Sequence, residues 1–483
     1  MRKSSSNKLY YGDNLEIITL HIPDECVDLV YLDPPFNSAQ DYNAFFVEKD
    51  GTKSADQIKA FKDTWEWNEA SALAYKRVVE SSTVEISSAM QAFQKLLGGN
   101  DMLAYLSMMA PRLIELKRVL KSTGNIFLHC DPTASHYLKI LMDSIFGGGN
   151  FRNEIIWHYR TGNLAKKQFQ RKHDVILFYS KTNKWKFTPL EYKEYYSQVY
   201  GPGFKPGFKG RKHGKDKHGE FRVPFVDDVW DISAVFTRSH EHLDYPTQKP
   251  LALLERIIKA GSNCGDLVLD PFCGCGTTIA MAEHLERKWI GIDITHLAVS
   301  LMKHRLQNMF GENCDYQTMG EPTSIEGAKV LAKDDPYQFQ WWALGLVGAR
   351  PSEEKKGADR GIDGRLFFHD ESEKSIKTKQ IIISVKSGKV GVSYIRDLRG
   401  VIEREDAEIG VLITLNDGTK DMINEAASAG FYTSPWGEHP RIQIITIKDL
   451  LDGGDLNYPP QSNVTFRKAQ KLQKDFNKTD SLF

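Results

Sequence analysis

Residues 266–278 read DLVLDPFCGCGTT, and residues 289–294 read WIGIDI. The first stretch begins as a short apolar run that delivers Asp270 to its end. It turns through Phe272, Gly274 and Gly276 and resumes as a helix from Thr277. Glycine in the turn accepts positive φ and lets the backbone pass close to a ligand. The helix start offers free N–H groups to an anionic end such as a carboxylate. The second stretch is another strand, ending about twenty residues on in Asp293, a position suited to ribose hydroxyls. With the helical PLALLERIIKA at 250–260, the alternation predicts parallel β-α-β structure. The pattern reads as a nucleoside-cofactor site. Spacing alone leaves a dinucleotide and S-adenosylmethionine both open.

Residues 29–37, LVYLDPPFN, form a second buried strand ending in an acid, two prolines and an aromatic. The prolines fix φ and leave the carbonyl of Pro34 without a neighbouring N–H. Asp33 and that carbonyl make a rigid pair of acceptors, and Phe36 adds a flat face. This suits an exocyclic amino group on a nucleobase. Two acceptors on its hydrogens favour a pyramidal nitrogen whose lone pair attacks a methyl group. Stacking on the aromatic contributes about 1–3 kcal/mol. A base inside a duplex is unreachable, so it must flip out. Asp33, Pro34, Pro35 and Phe36 are the candidate catalytic residues.

The chain has 483 residues, 41% hydrophobic and 26% charged, which excludes wholesale disorder, a collagen and a coiled-coil rod. No run approaches the ~18 apolar residues of a membrane span, and the first residues lack the apolar core of a secretory signal. Six cysteines without a CxxC pair argue against a disulfide framework or structural zinc, so a reducing cytoplasm is expected. Net charge is zero. From Arg152 to Arg222, however, 17 Lys/Arg stand against 6 Asp/Glu, a local +11. Such asymmetry is typical of nucleic-acid binders. A solvated lysine-rich insertion is the competing reading.

These motifs in this order resemble a β-group DNA amino-methyltransferase, over roughly residues 8–315. In that family DPP[YF] precedes the glycine-rich cofactor motif, with a target-recognition region between them. YYGDN at 10–14, FRNEIIW at 151–157, KHDVILFYSK at 172–181 and YPTQKPLALLERII at 245–258 also match. The resemblance implies S-adenosylmethionine as cofactor, with Asp13 at its adenine. Lys249 falls in the segment that closes over its methionine end. It further implies Asp270, Phe272, Gly274, Gly276, Thr277 and Asp293 around it. Double-stranded DNA is the implied partner, a homodimer is compatible with it, and no membrane is involved. DPP[YF] goes mostly with N6-adenine; N4-cytosine stays the alternative. Cys275 departs from the family's usual serine, and the glycines should make that tolerable.

Residues 357–387 carry Asp363 and, about twenty residues later, a strand bearing Lys386. An acid to hold magnesium and a lysine to orient water are what a nuclease needs. The arrangement resembles the Mrr-type restriction-endonuclease-like fold over roughly 335–450. Ser384 stands where that family has Glu or Gln, and Gln340 where an acid often sits, so Asp363 is the single candidate metal ligand. Cleavage and DNA binding without cleavage both remain open.

The fold class expected is α/β. A doubly wound methyltransferase sheet, with an inserted recognition region, is followed by a smaller α/β endonuclease-like domain. The expected divisions are 8–150 (DPPF half), 151–245 (target recognition), 246–320 (cofactor half), 330–452 (endonuclease-like) and 453–483 (a frayed tail). Trp65 and Trp67 could cover the active site or pack on their own domain. His213 and His218 read as a solvated loop rather than a metal site, Trp341 and Trp342 as helix core, and Asp131–Pro132 as a turn.

Overall fold

A computed structural model describes residues 7–35, 66–159, 165–196, 212–245, 247–352, 361–370, 378–459, 464–466 and 469. Phe36, Trp65 and residues 197–211 of the basic stretch lie outside the described residues.

Nine strands form the main sheet. They are β1 (Asn7–Tyr11), β2 (Val27–Leu32), β3 (Leu120–Cys130), β4 (Phe151–His158), β5 (His173–Ser180), β9 (Val229–Asp231), β10 (Leu267–Asp270), β11 (Lys288–Asp293) and β12 (Tyr316–Met319). Their order is β12-β1-β11-β10-β2-β3-β5-β4-β9. The first six run parallel, and β5 is antiparallel to both β3 and β4. Every residue of β2 is buried, as expected for a strand covered on both faces. One face packs under helices Asn14–His21, Asp101–Val119 and Ser135–Phe146. The other packs under Leu251–Gly261, Thr277–His284 and His296–Phe310.

Asp28 is the polar residue inside β2, and it is fully buried. Lys121 (2.7 Å) and Lys186 (2.8 Å) donate to it, and so does the Leu267 amide (3.0 Å). A buried carboxylate needs such partners. The pair sequence β10→β11 leads one way across the sheet, and β2→β3 leads the other. A crevice therefore opens at the carboxyl ends between β10 and β2, the usual ligand position in open α/β sheets.

Two sequence expectations change. Residues 151–245 are not wholly an insertion, because β4, β5 and β9 complete the main sheet. The rest holds a small sheet of β6 (Glu194–Tyr195), β7 (His213–Asp216) and β8 (Gly219–Arg222). β3 begins at Leu120, where pairing with Val27 extends the strand back through Gly124. The tail is anchored where it is described. The Val464 amide donates to the Phe367 carbonyl (2.8 Å), Phe466 lies against His304, and Ala469 is buried beside Leu243, Ala280 and Met309.

The C-terminal sheet has the order β13 (Arg350–Pro351), β14 (Gly364–Phe368), β15 (Lys379–Lys386), β16 (Ile409–Thr414), β19 (Ile442–Thr446). A hairpin, β17 (Phe431–Ser434) and β18 (Gly437–Pro440), precedes the last strand. Its core takes in Ala328 and Ala332, so the unit starts with helix Ile325–Asp334, before the boundary expected at 330. Among the described residues no helix is long and apolar enough to cross a membrane.

Candidate functional site

A cavity of about 200 Å³ occupies the crevice. Gly12–Asn14, Tyr31, Asp33–Pro35, Thr247–Lys249, Asp270–Cys275 and Asp293–Thr295 line it. Motifs more than 200 residues apart thus share one space, because β2 and β10 are neighbours in the sheet.

The glycine turn follows β10. Gly274 has φ 48°, and a Cβ there would come within 3.0 Å of the Tyr245 hydroxyl. Gly276 has φ 74° and caps helix Thr277–His284; a Cβ would meet Met302 at 2.5 Å. It does not line the cavity, so its glycine serves the turn itself. The Gly274 amide donates to Asp293 Oδ2 (2.9 Å), while Thr295 donates to Oδ1 through both its amide and hydroxyl (2.9 Å each). Burial pushes the Asp293 carboxyl up, against these hydrogen bonds. Asp270 accepts from the Phe272 amide (3.0 Å). Burial, with the charges of Asp33 and Asp293, pushes its carboxyl up to about 7.

Asp13 has two roles at once. Its Oδ1 accepts from the amides of Leu15 (2.8 Å) and Glu16 (3.2 Å), capping the helix that follows β1. Its Oδ2 pairs with Arg112 Nη2 at 2.7 Å. Arg112 Nε also donates to Asn14 Oδ1 (2.6 Å), and Asn14 Nδ2 donates to the Pro271 carbonyl (2.8 Å). Arg112 therefore ties the β1 end to the β10 turn. Sequence reading missed it; the available signal was one charge in the middle of the helical run 102–120. It missed Arg305 too, which is 2% exposed and donates to the Thr277 hydroxyl (2.8 Å) and the Cys275 carbonyl (3.1 Å).

Asp33 forms an ion pair with Lys249. The resemblance places Lys249 in the segment over a cofactor's methionine end; in the structure it lines the cavity with its ammonium on the acid of DPPF. Pro34 and Pro35 line the same cavity. The carboxylates of Asp13, Asp33, Asp270 and Asp293 all border it, and its two cations, Arg112 and Lys249, are each paired with one of them.

In the C-terminal unit, Asp363 Oδ2 receives the Ser384 hydroxyl (3.0 Å), the Val385 amide (2.6 Å) and Lys386 Nζ (3.2 Å). The fold thus assembles the three expected residues. One carboxylate with one oxygen already taken by three donors is a poor magnesium site. Among the described residues no group of three His, Cys, Asp or Glu could hold a metal. The donor set does not fit the ion.

The basic stretch is partly neutralised. Lys181 meets Glu25, Lys186 meets Asp28 and Asp266, Lys193 meets Asp216, and Lys212 meets Glu191. Trp67 lies edge-on to Tyr75 and over Gly99, within its own domain. Trp342 is buried core, and Asp131 accepts from the Ala134 amide in a turn.

An open α/β sheet with a carboxylate-ringed cavity at its switch point is the setting of a nucleotide or nucleoside ligand. Residues 27–304 match the N6/N4 DNA methylase family, and the chain belongs to that family. Residues 335–452 match a restriction endonuclease family. Among curated relatives, the type II methyltransferase M.BglII of Bacillus subtilis is 26% identical over 388 residues, covering 77% of this chain and 86% of its own. M.HpaI of Haemophilus parainfluenzae is 34% identical over 212 residues, 43% of this chain and 60% of its own. The DNA adenine methyltransferase YhdJ of Escherichia coli K12 is 26% identical over 304 residues, 63% and 83% respectively.

Proposed function

We propose that the protein transfers a methyl group from S-adenosylmethionine to N6 of an adenine flipped out of double-stranded DNA. The observation that carries this reading is one cavity bordered by both the Asp33–Pro34 acceptors and the Asp270–Asp293 turn. The bound cofactor supplies an electrophilic methyl on a sulfonium. Asp270 and Asp293, the bordering carboxylates not paired with Arg112 or Lys249, suit that cation and would disfavour the pyrophosphate of a dinucleotide. Asp293 is the candidate for the ribose hydroxyls, and Asp13 for the adenine side. Asp33 and Pro34 accept from the target amine once Lys249 gives way, and Phe36 stacks on the base. The kinship with an adenine methyltransferase and the DPPF motif favour adenine. Transfer to N4 of cytosine needs the same geometry.

Mixed-sequence plasmid, methylated with tritiated cofactor and read by single-molecule sequencing, decides between the two and gives the sequence context. Asp33→Ala should abolish transfer while leaving cofactor binding within about threefold. Near-normal turnover in that variant would show that DPPF is not catalytic.

The three donors that already occupy Asp363 Oδ2 favour a second reading, DNA binding without cleavage by the C-terminal unit. Full-length protein should be incubated with methylated and unmethylated plasmid, with magnesium or manganese. A gel shift without nicking is the expected result. Nicking that is lost in Asp363→Ala/Lys386→Ala would make this unit a nuclease instead.

A further inference from the structure

We propose that Tyr31, His129 and Asp174 form a store for the proton released at the target amine. The inference rests on the reading that Asp33 receives that amine. β2, β3 and β5 are neighbours in the sheet, and because β5 runs antiparallel its first residues meet the carboxyl ends of β2 and β3. One step beyond the paired Leu32 and Leu128 stand Asp33 and His129. Tyr31 Oη lies 3.0 Å from His129 Nδ1, and His129 Nε2 lies 3.1 Å from Asp174 Oδ2. Tyr159 donates to Asp174 Oδ1 at 3.0 Å. His129 is fully buried, with Trp157 edge-on at 5.5 Å.

These contacts set the protons. An ionised carboxylate only accepts, so His129 must present Nε2–H to Asp174. Burial raises the Asp174 carboxyl, but the hydrogen bonds from His129 and Tyr159 and the charge of Lys249 hold it below the usual range. Nδ1 then carries the lone pair, and Tyr31 must donate its O–H to it. The remaining lone pair of Tyr31 belongs to a side chain that lines the cavity shared with Asp33. Acid, imidazole and hydroxyl in line is the arrangement by which a buried histidine takes up a proton and a carboxylate stabilises the result.

The step balances without an oxidant or reductant. The amine nitrogen forms its bond to the methyl carbon and becomes positively charged. Its N–H bond then breaks, and the proton passes to the Asp33 carboxylate. Asp33 hands a proton to Tyr31 Oη as Tyr31 hands its own to His129 Nδ1. The imidazolium faces Asp174 until the base departs, and the proton returns by the same path to water in the opened cavity. Tyr31 is never left as a phenolate, which its burial and the charges of Asp33, Asp270 and Asp174 strongly disfavour. The groups bearing on the store are therefore Asp33 and Asp270 at Tyr31, and Lys249 and Tyr159 at Asp174, with neutral Trp157 over the ring.

The test uses the full chain in single-turnover methylation of unmethylated mixed-sequence plasmid between pH 5.5 and 8.5. Tyr31→Phe and His129→Asn should each slow transfer by about 100-fold, the lower end of acid–base contributions. Cofactor Kd by calorimetry should stay within about twofold. In ligand-free protein labelled with 15N-histidine, His129 should appear as the Nε2–H tautomer, and Asp174→Asn should disturb it. Wild-type rates in Tyr31→Phe, with cofactor affinity intact, overturn the proposal. So does an equal loss of rate and cofactor affinity in all three variants, which marks a structural network. An inactive Asp33→Ala beside an unimpaired Tyr31→Phe removes only the store; an active Asp33→Ala removes the reading beneath it.

Discussion

Asp270 shows how single residues set the chemistry of the cavity. Taken out of water beside two other acids, it is held near neutrality, pushed up to about 7. A cation binding in the cavity favours its ionised form, so binding releases protons and must tighten as pH rises through that value. Asp293, raised by burial too, acts in the same direction. Cofactor affinity should therefore increase about fivefold from pH 6 to pH 8, measured by calorimetry in buffers of differing ionisation heat. Asp270→Asn should flatten most of that dependence. A flat profile in the wild type would mean that Asp270 and the bound cation do not sense each other. Lys249 belongs to the same scale. Its ion pair with Asp33 places an internal ammonium on the acid proposed to receive the target amine, and on that reading a docking base displaces it.

At the scale of elements, the turn from β10 into helix Thr277–His284 depends on one glycine. Gly276→Ala must place a side chain at φ 74° and within 2.5 Å of Met302. The left-handed backbone costs about 1–2 kcal/mol, and overpacking about 1–3 kcal/mol. Urea unfolding should show a loss of about 2–5 kcal/mol, with weakened cofactor binding. Met302→Ala opens space for the new methyl. The double variant should thus be more stable than the two single losses imply, by about 1–3 kcal/mol. Strict additivity would mean that Met302 moves aside freely. The DPPF strand is held differently. It gets its register from buried pairing on both sides, and from Asp28, which fixes Lys121 and Lys186 across it.

For the whole molecule, the junction between the two α/β units is built rather than loose. Helix Pro336–Leu346 lies against helix His296–Phe310, where a Cβ on Gly345 would come 2.2 Å from Ser300 Oγ. From that same helix, Gln338 accepts the His296 amide (3.2 Å) and Gln340 donates to the Asp363 carbonyl (3.3 Å). His296 stacks on Tyr11 at 3.6 Å, next to the cavity residue Gly12. The tail closes the same junction, with Val464 on β14 and Phe466 on the helix that carries His304. Scanning calorimetry should therefore show one coupled transition. Gly345→Val should split it in two by forcing the helices apart. Two transitions already present in the wild type would show that the contact couples nothing.

What the sequence by itself determined was local: apolar runs that must be strands, glycines that must turn, prolines that fix a carbonyl, and the order of motifs that marks the family. Those features depend on neighbours within a few residues, so one chain displays them. The DPPF and DPFCGCG ends could be assigned as a site because each carries its own chemistry. Only the tertiary structure decided the rest. Arg112 and Arg305 act through partners that strand order brings near, and a charge inside a helical run is the most that their own stretches show. Lys249 meets Asp33 only because the segment before helix Leu251–Gly261 crosses the end of β2. Tyr31, His129 and Asp174 align only in the registers of β2, β3 and β5. The tail reads as frayed because its composition is polar, yet among its described residues Leu456 packs into the C-terminal core, and Phe466 and Ala469 pack against the first unit. Register and strand order arise from burial summed over the whole chain, which no short stretch of sequence contains.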